Sequence, residues 1–182
     1  EADQILTFQI SGYDATLFGM QPVISGTGDL SFTPAENANG ITTVTIVLGD
    51  DGGVGNGGED TSDAQTFTIM VDAINDAPFA SDDAFSVDQN RQLVLDAPGI
   101  LANDFDVEGD SLTVELLSSV NHGTLVFNGD GSFSYTSRIG FSGTDYFTYR
   151  VWDGQNYGDA ATVSIIVPFI PVKTYLPIVF SY

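Results

Sequence analysis

The sequence carries one pattern twice, and that repetition limits the folds open to it. Gly28-Asp29-Leu30-Ser31-Phe32-Thr33 returns as Gly131-Ser132-Phe133-Ser134-Tyr135-Thr136. The run Thr43–Val47, entered through Asn39-Gly40, returns as Tyr146–Val151, entered through Ser142-Gly143. Asp50-Asp51-Gly52 parallels Trp152-Asp153-Gly154, and Gln65–Val71 parallels Ala161–Val167. The repeated stretches alternate apolar with polar residues, which is the period of a strand with one face buried. No stretch sustains a helical period. Short alternating runs divided by Gly, Asn and Asp clusters predict an antiparallel all-β sandwich in each copy.

Strands are predicted over Ile5–Ile10, Asp29–Thr33, Thr42–Leu48 and Gln65–Val71 in the first copy. In the second they fall at Leu112–Leu116, Thr124–Phe127, Ser132–Thr136, Asp145–Trp152 and Ala161–Val167, with Asn128-Gly129-Asp130-Gly131 as a tight hairpin turn. The copies are unequal. Residues 78–107 precede Glu108-Gly109-Asp110 and hold two further strands, roughly Phe79–Val87 and Arg91–Leu95, whereas the first copy opens at the matching Glu1-Ala2-Asp3. A sandwich without its first two strands exposes core and backbone edge. Either the chain is a fragment of a longer one, or another molecule fills the gap. The expected divisions are an incomplete sandwich over 1–77, a complete one over 78–168 and a tail over 169–182.

Charge removes whole classes of partner. Against 25 acidic residues stand 4 basic ones, a net of -21, so nucleic acid and anionic membranes are repelled. No apolar run approaches the ~20 residues of a membrane helix, so membrane insertion is not expected. Without cysteine there is neither a disulfide staple nor thiolate chemistry. Crowded carboxylates repel one another in a compact state, and calcium, which prefers hard oxygen ligands, is the natural relief outside cells. Acid richness with abundant Gly and Thr and scarce Lys points to an exported bacterial protein.

Three motifs carry a resemblance. Asn75-Asp76-Ala77-Pro78, the segment from Ile100 to Asp110 (Ile-Leu-Ala-Asn-Asp-Phe-Asp-Val-Glu-Gly-Asp) and His122-Gly123-Thr124-Leu125 resemble the bacterial cadherin-like, immunoglobulin-like tandem repeats, including the VCBS type. The resemblance covers residues 1 to about 168. It implies two tandem Ig-like β-sandwiches, a structural or adhesive role at the cell surface, and calcium near domain junctions. It names no ligand.

The residues themselves offer one oxygen-rich candidate. Asp104, Asp106, Glu108 and Asp110 alternate along a loop that turns on Gly109, with Asn103 able to add an amide oxygen. Such a set suits Ca2+, and the alternative is a solvated acidic turn. Asp82 and Asp83 follow the linker and are candidates to complete a junction site. The loop holding Asp50, Asp51, Glu59, Asp60 and Asp63 reads rather as a solvated, Gly-rich segment. His122 is the single histidine and sits at a turn, which supports neither a Ser-His-Asp relay nor a histidine metal site. Carboxylate pairs are inevitable at this composition and do not by themselves make a glycosidase. No enzymatic activity is expected. Arg91, Arg138 and Arg150 are expected in local ion pairs.

Residues 169–182 leave the repeat. Along an extended chain Ile170, Val172, Leu176, Ile178 and Phe180 share one face, and Pro171 and Pro177 lie opposite. Prolines suit an edge strand and bar a central one. An apolar alternating tail on an array that lacks strands suggests strand donation between subunits. Folding back onto its own domain, or service as a secretion or anchoring signal, is the alternative. The leading expectation is therefore an extracellular filament or stalk subunit whose partners are other copies of itself or neighbouring repeats of a longer chain. The competing class is an adhesin or a glycan-binding module, for which Tyr13, Phe18, Trp152 and Tyr157 are the aromatic candidates.

Overall fold

A computed structural model describes residues 4–53 and 59–171. The chain divides into two compact units, Glu1–Ile74 and Asn75–Tyr182. Both are built from strands joined by turns, with short 3₁₀ turns at Ala15–Leu17 and Gly99–Asn103.

The second unit holds β6 (Asp83–Ser86), β7 (Gln92–Leu95), β8 (Thr113–Ser118), β9 (Gly123–Phe127), β10 (Phe133–Ser137), β11 (Gly143–Trp152) and β12 (Ala161–Val167). They form two sheets, β6-β12-β11-β8 and β7-β10-β9. The pairings are antiparallel except β6 on β12, which is parallel. Alternation along β10, β11 and β12 points Phe133, Tyr135, Phe147, Tyr149, Val151, Val163, Ile165 and Val167 inward, and all are buried. Phe133 lies edge-on to both Phe85 and Phe147, so β6 contributes directly to this core. Gly99 and Gly131 both have positive φ (57° and 82°), and each lies where a Cβ would strike the other segment's backbone. Only glycine allows the 3₁₀ turn to pass so close to the β9–β10 hairpin.

The first unit holds β1 (Thr7–Ser11), β2 (Phe18–Ile24), β3 (Leu30–Pro34), β4 (Gly40–Gly49) and β5 (Gln65–Val71). Its ladders are β1-β4-β5 and β2-β3. These are the counterparts of β8-β11-β12 and β9-β10: Gly40 pairs with Val71 as Gly143 pairs with Val167, and Thr7 with Gly49 as Thr113 with Trp152. Among the described residues, unit 1 has no counterpart of β6 or β7. Its buried cluster is reduced to Leu17, Phe18, Val44 and Ile69. Leu30 is 40% exposed where its counterpart Phe133 is 2% exposed. Phe67 and Val71 on β5 and Ile46 on β4 are half-buried where Val163, Val167 and Tyr149 are fully buried. The strand β2 was not among those expected, because Gly19 and Pro22 interrupt its alternation; register shifts mark the same stretch of its ladder with β3.

Candidate functional site

The acidic loop follows the Gly99–Asn103 turn and leads into β8. Asp106 organises it: its Oδ1 accepts from the backbone N–H of Glu108 at 3.0 Å and of Asp110 at 3.1 Å. Gly109, at φ 79°, supplies the left-handed residue that closes the turn. The second oxygen of Asp106, Oδ2, is buried and has no hydrogen-bond partner among the described residues. Glu108 reaches away from the loop, and its Oε2 accepts from the Asp76 N–H at 3.3 Å.

Asn75 continues this network into the turn after β11. Its Nδ2 donates to Asp153 Oδ2 at 2.7 Å, and its Oδ1 accepts from Gln155 Nε2 at 2.9 Å. Burial would raise the Asp153 pKa. The Asn156 N–H, the Asn75 amide and the Gln155 N–H outweigh it, so the carboxyl sits below its usual range. Sequence reasoning did not place Asn75, Asp76 and Asp153 in the site. The signal was present, since Asn75-Asp76 and Asp153-Gly154 stood out as motifs, but nothing local brings residues 75 and 153 together.

The other candidate residues form a separate cluster around Tyr149 on β11. Its hydroxyl lies 3.1 Å from Asp104 Oδ2, 3.4 Å from Asp83 Oδ2 and 3.0 Å from the Ser81 carbonyl. Asp104 Oδ1 accepts from the Ser81 N–H at 2.7 Å. Asp82 Oδ1 is engaged by the Thr162 N–H at 2.7 Å, and Asn103 Nδ2 donates to the Asp82 carbonyl at 3.3 Å. Burial, then the charge of Asp104, pushes the Asp83 pKa up to about 6, against the Tyr149 hydrogen bond. Burial also raises Asp104, opposed by the Ser81 N–H and Tyr149. The seven candidates therefore divide: Asp106, Glu108 and Asp110 belong to the loop, and Asn103, Asp104, Asp82 and Asp83 to the Tyr149 cluster. Among the described residues no three His, Cys, Asp or Glu side chains are gathered closely enough to hold a metal.

A third polar site lies between β11 and the turn before β9. Asp145, 1% exposed, accepts from the N–H groups of Asn121 at 2.9 Å and His122 at 2.7 Å and from the Tyr135 hydroxyl at 3.1 Å. The His122 ring stacks on Phe141 with centroids 4.5 Å apart, and its Nδ1 is 3.4 Å from Asp145 Oδ1. Arg150 pairs locally with Glu115 at 2.7 Å and lies over the Tyr157 ring, whose centroid is 4.4 Å from that of Trp152. Of the aromatic candidates Phe18 is buried, and Tyr157 is 43% exposed. Phe79 and Phe105, both more than half exposed, stack at 5.4 Å. Ile170 is described and exposed, whereas Val172, Leu176, Ile178 and Phe180 lie outside the described residues.

Comparison with known proteins settles the family. The profile of the bacterial cadherin-like domain matches residues 75–168. The chain belongs to the bacterial cadherin-like family. Its cadherin-like domain is thus an adhesion or extracellular type of module, and domains of this kind generally bind Ca2+. Among solved structures the chain is similar to protocadherin gammaB7 in its EC3-6 cis-dimer, with 15% identity and a TM-score of 0.52 over 94% of this chain and 44% of that one. It is also similar to human protocadherin-24 EC1-2, with 16% identity and a TM-score of 0.45 over 94% and 85% of the two chains. An endo-fucoidan hydrolase of glycoside hydrolase family 107 matches at 18% identity and a TM-score of 0.36, with 92% of this chain covering 24% of that one. The chain thus spans about a quarter of the hydrolase's length. No curated protein matches. Among the described residues no helix is long and apolar enough to cross a membrane.

Proposed function

We propose that this chain is a non-enzymatic structural subunit of an extracellular cadherin-like fibre or stalk, extended head to tail when residues 169–182 of one copy donate a strand to unit 1 of the next. One observation carries this reading. Among the described residues unit 1 has five strands where unit 2 has seven, and its core is less covered on the side that β6 and β7 close in unit 2. A contact between a tail and a different surface is heterologous, so it propagates instead of closing. Deleting residues 169–182 and examining the material by electron microscopy tests it. Filaments with a subunit-length repeat are expected from the whole chain and not from the truncated one. Filaments from both would show that the tail is not the donor, and would leave neighbouring repeats of a longer chain to fill unit 1.

Calcium belongs to the same proposal. The buried, unpartnered Oδ2 of Asp106 favours a cation at the loop, and the surrounding donors are all hard oxygens. Asp106 is the residue to hold it; Glu108 and Asp110 flank it on the same loop, but among the described residues they are not gathered with it into a three-carboxylate site. The ion would supply the positive charge that this loop lacks. The Tyr149 cluster is a poorer fit, because its carboxylates already have protein donors, and burial makes Asp83 and Asp104 retain a proton more readily.

A second reading is a glycan-binding adhesin. It is favoured by exposed Phe79 and Tyr157, which border a cleft of about 220 Å³ floored by Pro78 and Gly158. Neutral oligosaccharides titrated against the chain and its Phe79→Ala variant would separate this reading from the first.

A further inference from the structure

We propose that the outer face of the β7-β10-β9 sheet is a contact between two copies of this chain, packed face to face with strands antiparallel so that Arg138 of each meets Asp96 of the other. The inference stands apart from strand donation and from calcium, because it uses side chains of unit 2 that neither reading involves.

Charge sets this face apart. The chain holds 25 acidic and 4 basic residues, yet β7, β9 and β10 carry none of them. Register puts Val94, Ser134 and Val126 in one outward row and Gln92, Thr136 and Thr124 in the next. Val94 is 60% and Val126 58% exposed, and the short Ser134 between them leaves a shallow cleft of about 220 Å³. A second cleft, of about 280 Å³, is bordered by Thr124, Thr136 and Arg138.

The charges stand at the ends. Phe133 opposite Leu95 brings Asp96 to the row of Ser132, and both residues line the first cleft. Asp130 lies at the same end, in the turn before Ser132. At the other end the Arg138 N–H donates to the His122 carbonyl at 2.7 Å. That bond extends the β9–β10 ladder by one residue and keeps Arg138 on the outward parity of Ser134 and Thr136. Arg138 was expected in a local ion pair, but among the described residues it meets no carboxylate. Arg91 and Asp88 also lie at this end and offset one another.

A cation at one end and a carboxylate at the other make the face complementary to itself when two copies run antiparallel. A two-fold axis crossing β10 at Tyr135 lays the row of Ser134 over the partner's row of Thr136. It also carries Arg138 over the row of Ser132, beside Asp96. The arrangement is isologous, so both Arg138–Asp96 pairs form together. Parallel packing would instead set Arg138 against Arg138 and Asp96 against Asp96. Elsewhere two chains of net charge -21 repel, and the strands of this sheet contribute nothing to that repulsion. The face is particular to unit 2, since the residue matching Arg138 in unit 1 is Ala35. Three short strands span roughly 15 by 17 Å. The contact is thus well under the standard interface of about 1,600 Å² and belongs to the weak, transient class.

The chain has no cysteine, so directed cross-linking is clean. Exposed Thr136 is replaced by Cys in every full-length chain used, and a bis-maleimide long enough to bridge the about 10 Å between packed sheets captures dimers. Arg138→Glu and Asp96→Arg are then introduced separately. Both positions are exposed, so unit 2 should melt at its native temperature in each variant. Chains with native charges should give cross-linked dimer, and either variant alone at least fivefold less. An equal mixture of the two variants should restore the native yield as heterodimer, identified by mass, because each of its two pairs is again of opposite sign. Variants that cross-link as well alone as the native chain would remove the charge pairing. Folded variants that stay uncoupled when mixed would show that Arg138 and Asp96 do not face one another. A mixture that exceeds the native yield would favour parallel packing and overturn the antiparallel one. If native chains give no dimer, this face is not a contact between copies, whatever filaments the chain forms.

Discussion

The Tyr149 hydroxyl lies 3.1 Å from Asp104 Oδ2, tying the end of the Gly99–Asn103 turn to β11 at the centre of the second unit. Tyr149 is fully buried, and burial together with the charges of Asp104 and Asp83 holds its phenol far above the ordinary range. It stays a donor at any working pH. Tyr149→Phe would strand two carboxylates beside an apolar ring, and leaving a buried acceptor unpaired costs about 1–3 kcal/mol. Urea denaturation of unit 2 should show a loss of that size.

Asp83 gives the cluster a pH signature. Its pKa is about 6 in the folded chain against an ordinary 3.8, so the folded form binds this proton more tightly than the unfolded one. The associated stability is fully present below pH 3.8 and is lost as pH rises through about 6. Asp83→Asn removes the ionisation. The variant should therefore gain on the native chain between these two values and hold a constant lead above them. Melts in EDTA across this range would show it. A difference independent of pH would mean that Asp83 titrates normally.

Asp145 has the opposite sign. Burial would raise its pKa, but the N–H groups of Asn121 and His122, the Tyr135 hydroxyl and the Tyr146 N–H together hold it below 3.8. Its contribution is present above that value and disappears as pH falls below it. Asp145→Ala orphans several buried donors at once and should cost at least about 2 kcal/mol at neutral pH. The loss should shrink in acid.

These three sites differ in how far they could be read from sequence. Alternation and the internal repeat sufficed for the sheets: Gln65–Val71 and Ala161–Val167 are strands at the expected bounds, and among the described residues unit 1 has no counterparts of the two strands before Glu108. The acidic loop was legible because Asp106 organises its own turn within four residues. Contacts between distant residues were not. Asn75 meets Asp153, and Asp145 meets Asn121, only through tertiary packing, which local spacing does not encode. The division of the candidates between two clusters has the same cause. Asp104 and Asp106 are two residues apart, yet one caps Ser81 in the interior and the other caps Glu108 in the loop.

Calcium should separate the two clusters. An ion held by Asp106 in the folded form alone stabilises by mass action, about 2.7 kcal/mol at a hundredfold excess over its Kd. The melting temperature of unit 2 should rise with added Ca2+ and fall with EDTA. Asp106→Ala should abolish that response, and Asp83→Asn should leave it. Identical melts of the native chain with and without Ca2+ would remove calcium from the proposal.

The last prediction concerns the unequal cores. Among the described residues twelve buried side chains form the cluster in unit 2 and four form it in unit 1. Stability is a small remainder between large burial and entropy terms, so a loss of this extent leaves unit 1 near its limit. A chain lacking residues 169–182 should thus melt in two steps, unit 1 first. Ile69 is 6% exposed and central to the smaller cluster. Truncating a buried Ile to Ala costs about 2–5 kcal/mol, comparable with all that a unit of this size retains. Ile69→Ala should erase the lower calorimetric transition and leave the upper one in place. Ile165→Ala, at the matching position of unit 2, should lower the upper transition and leave unit 1 unchanged. In the full-length chain at high concentration, strand donation should raise the lower transition toward the upper one, and dilution should reverse it. A lower transition that ignores both the tail and the concentration would mean that unit 1 is stabilised by its own five strands.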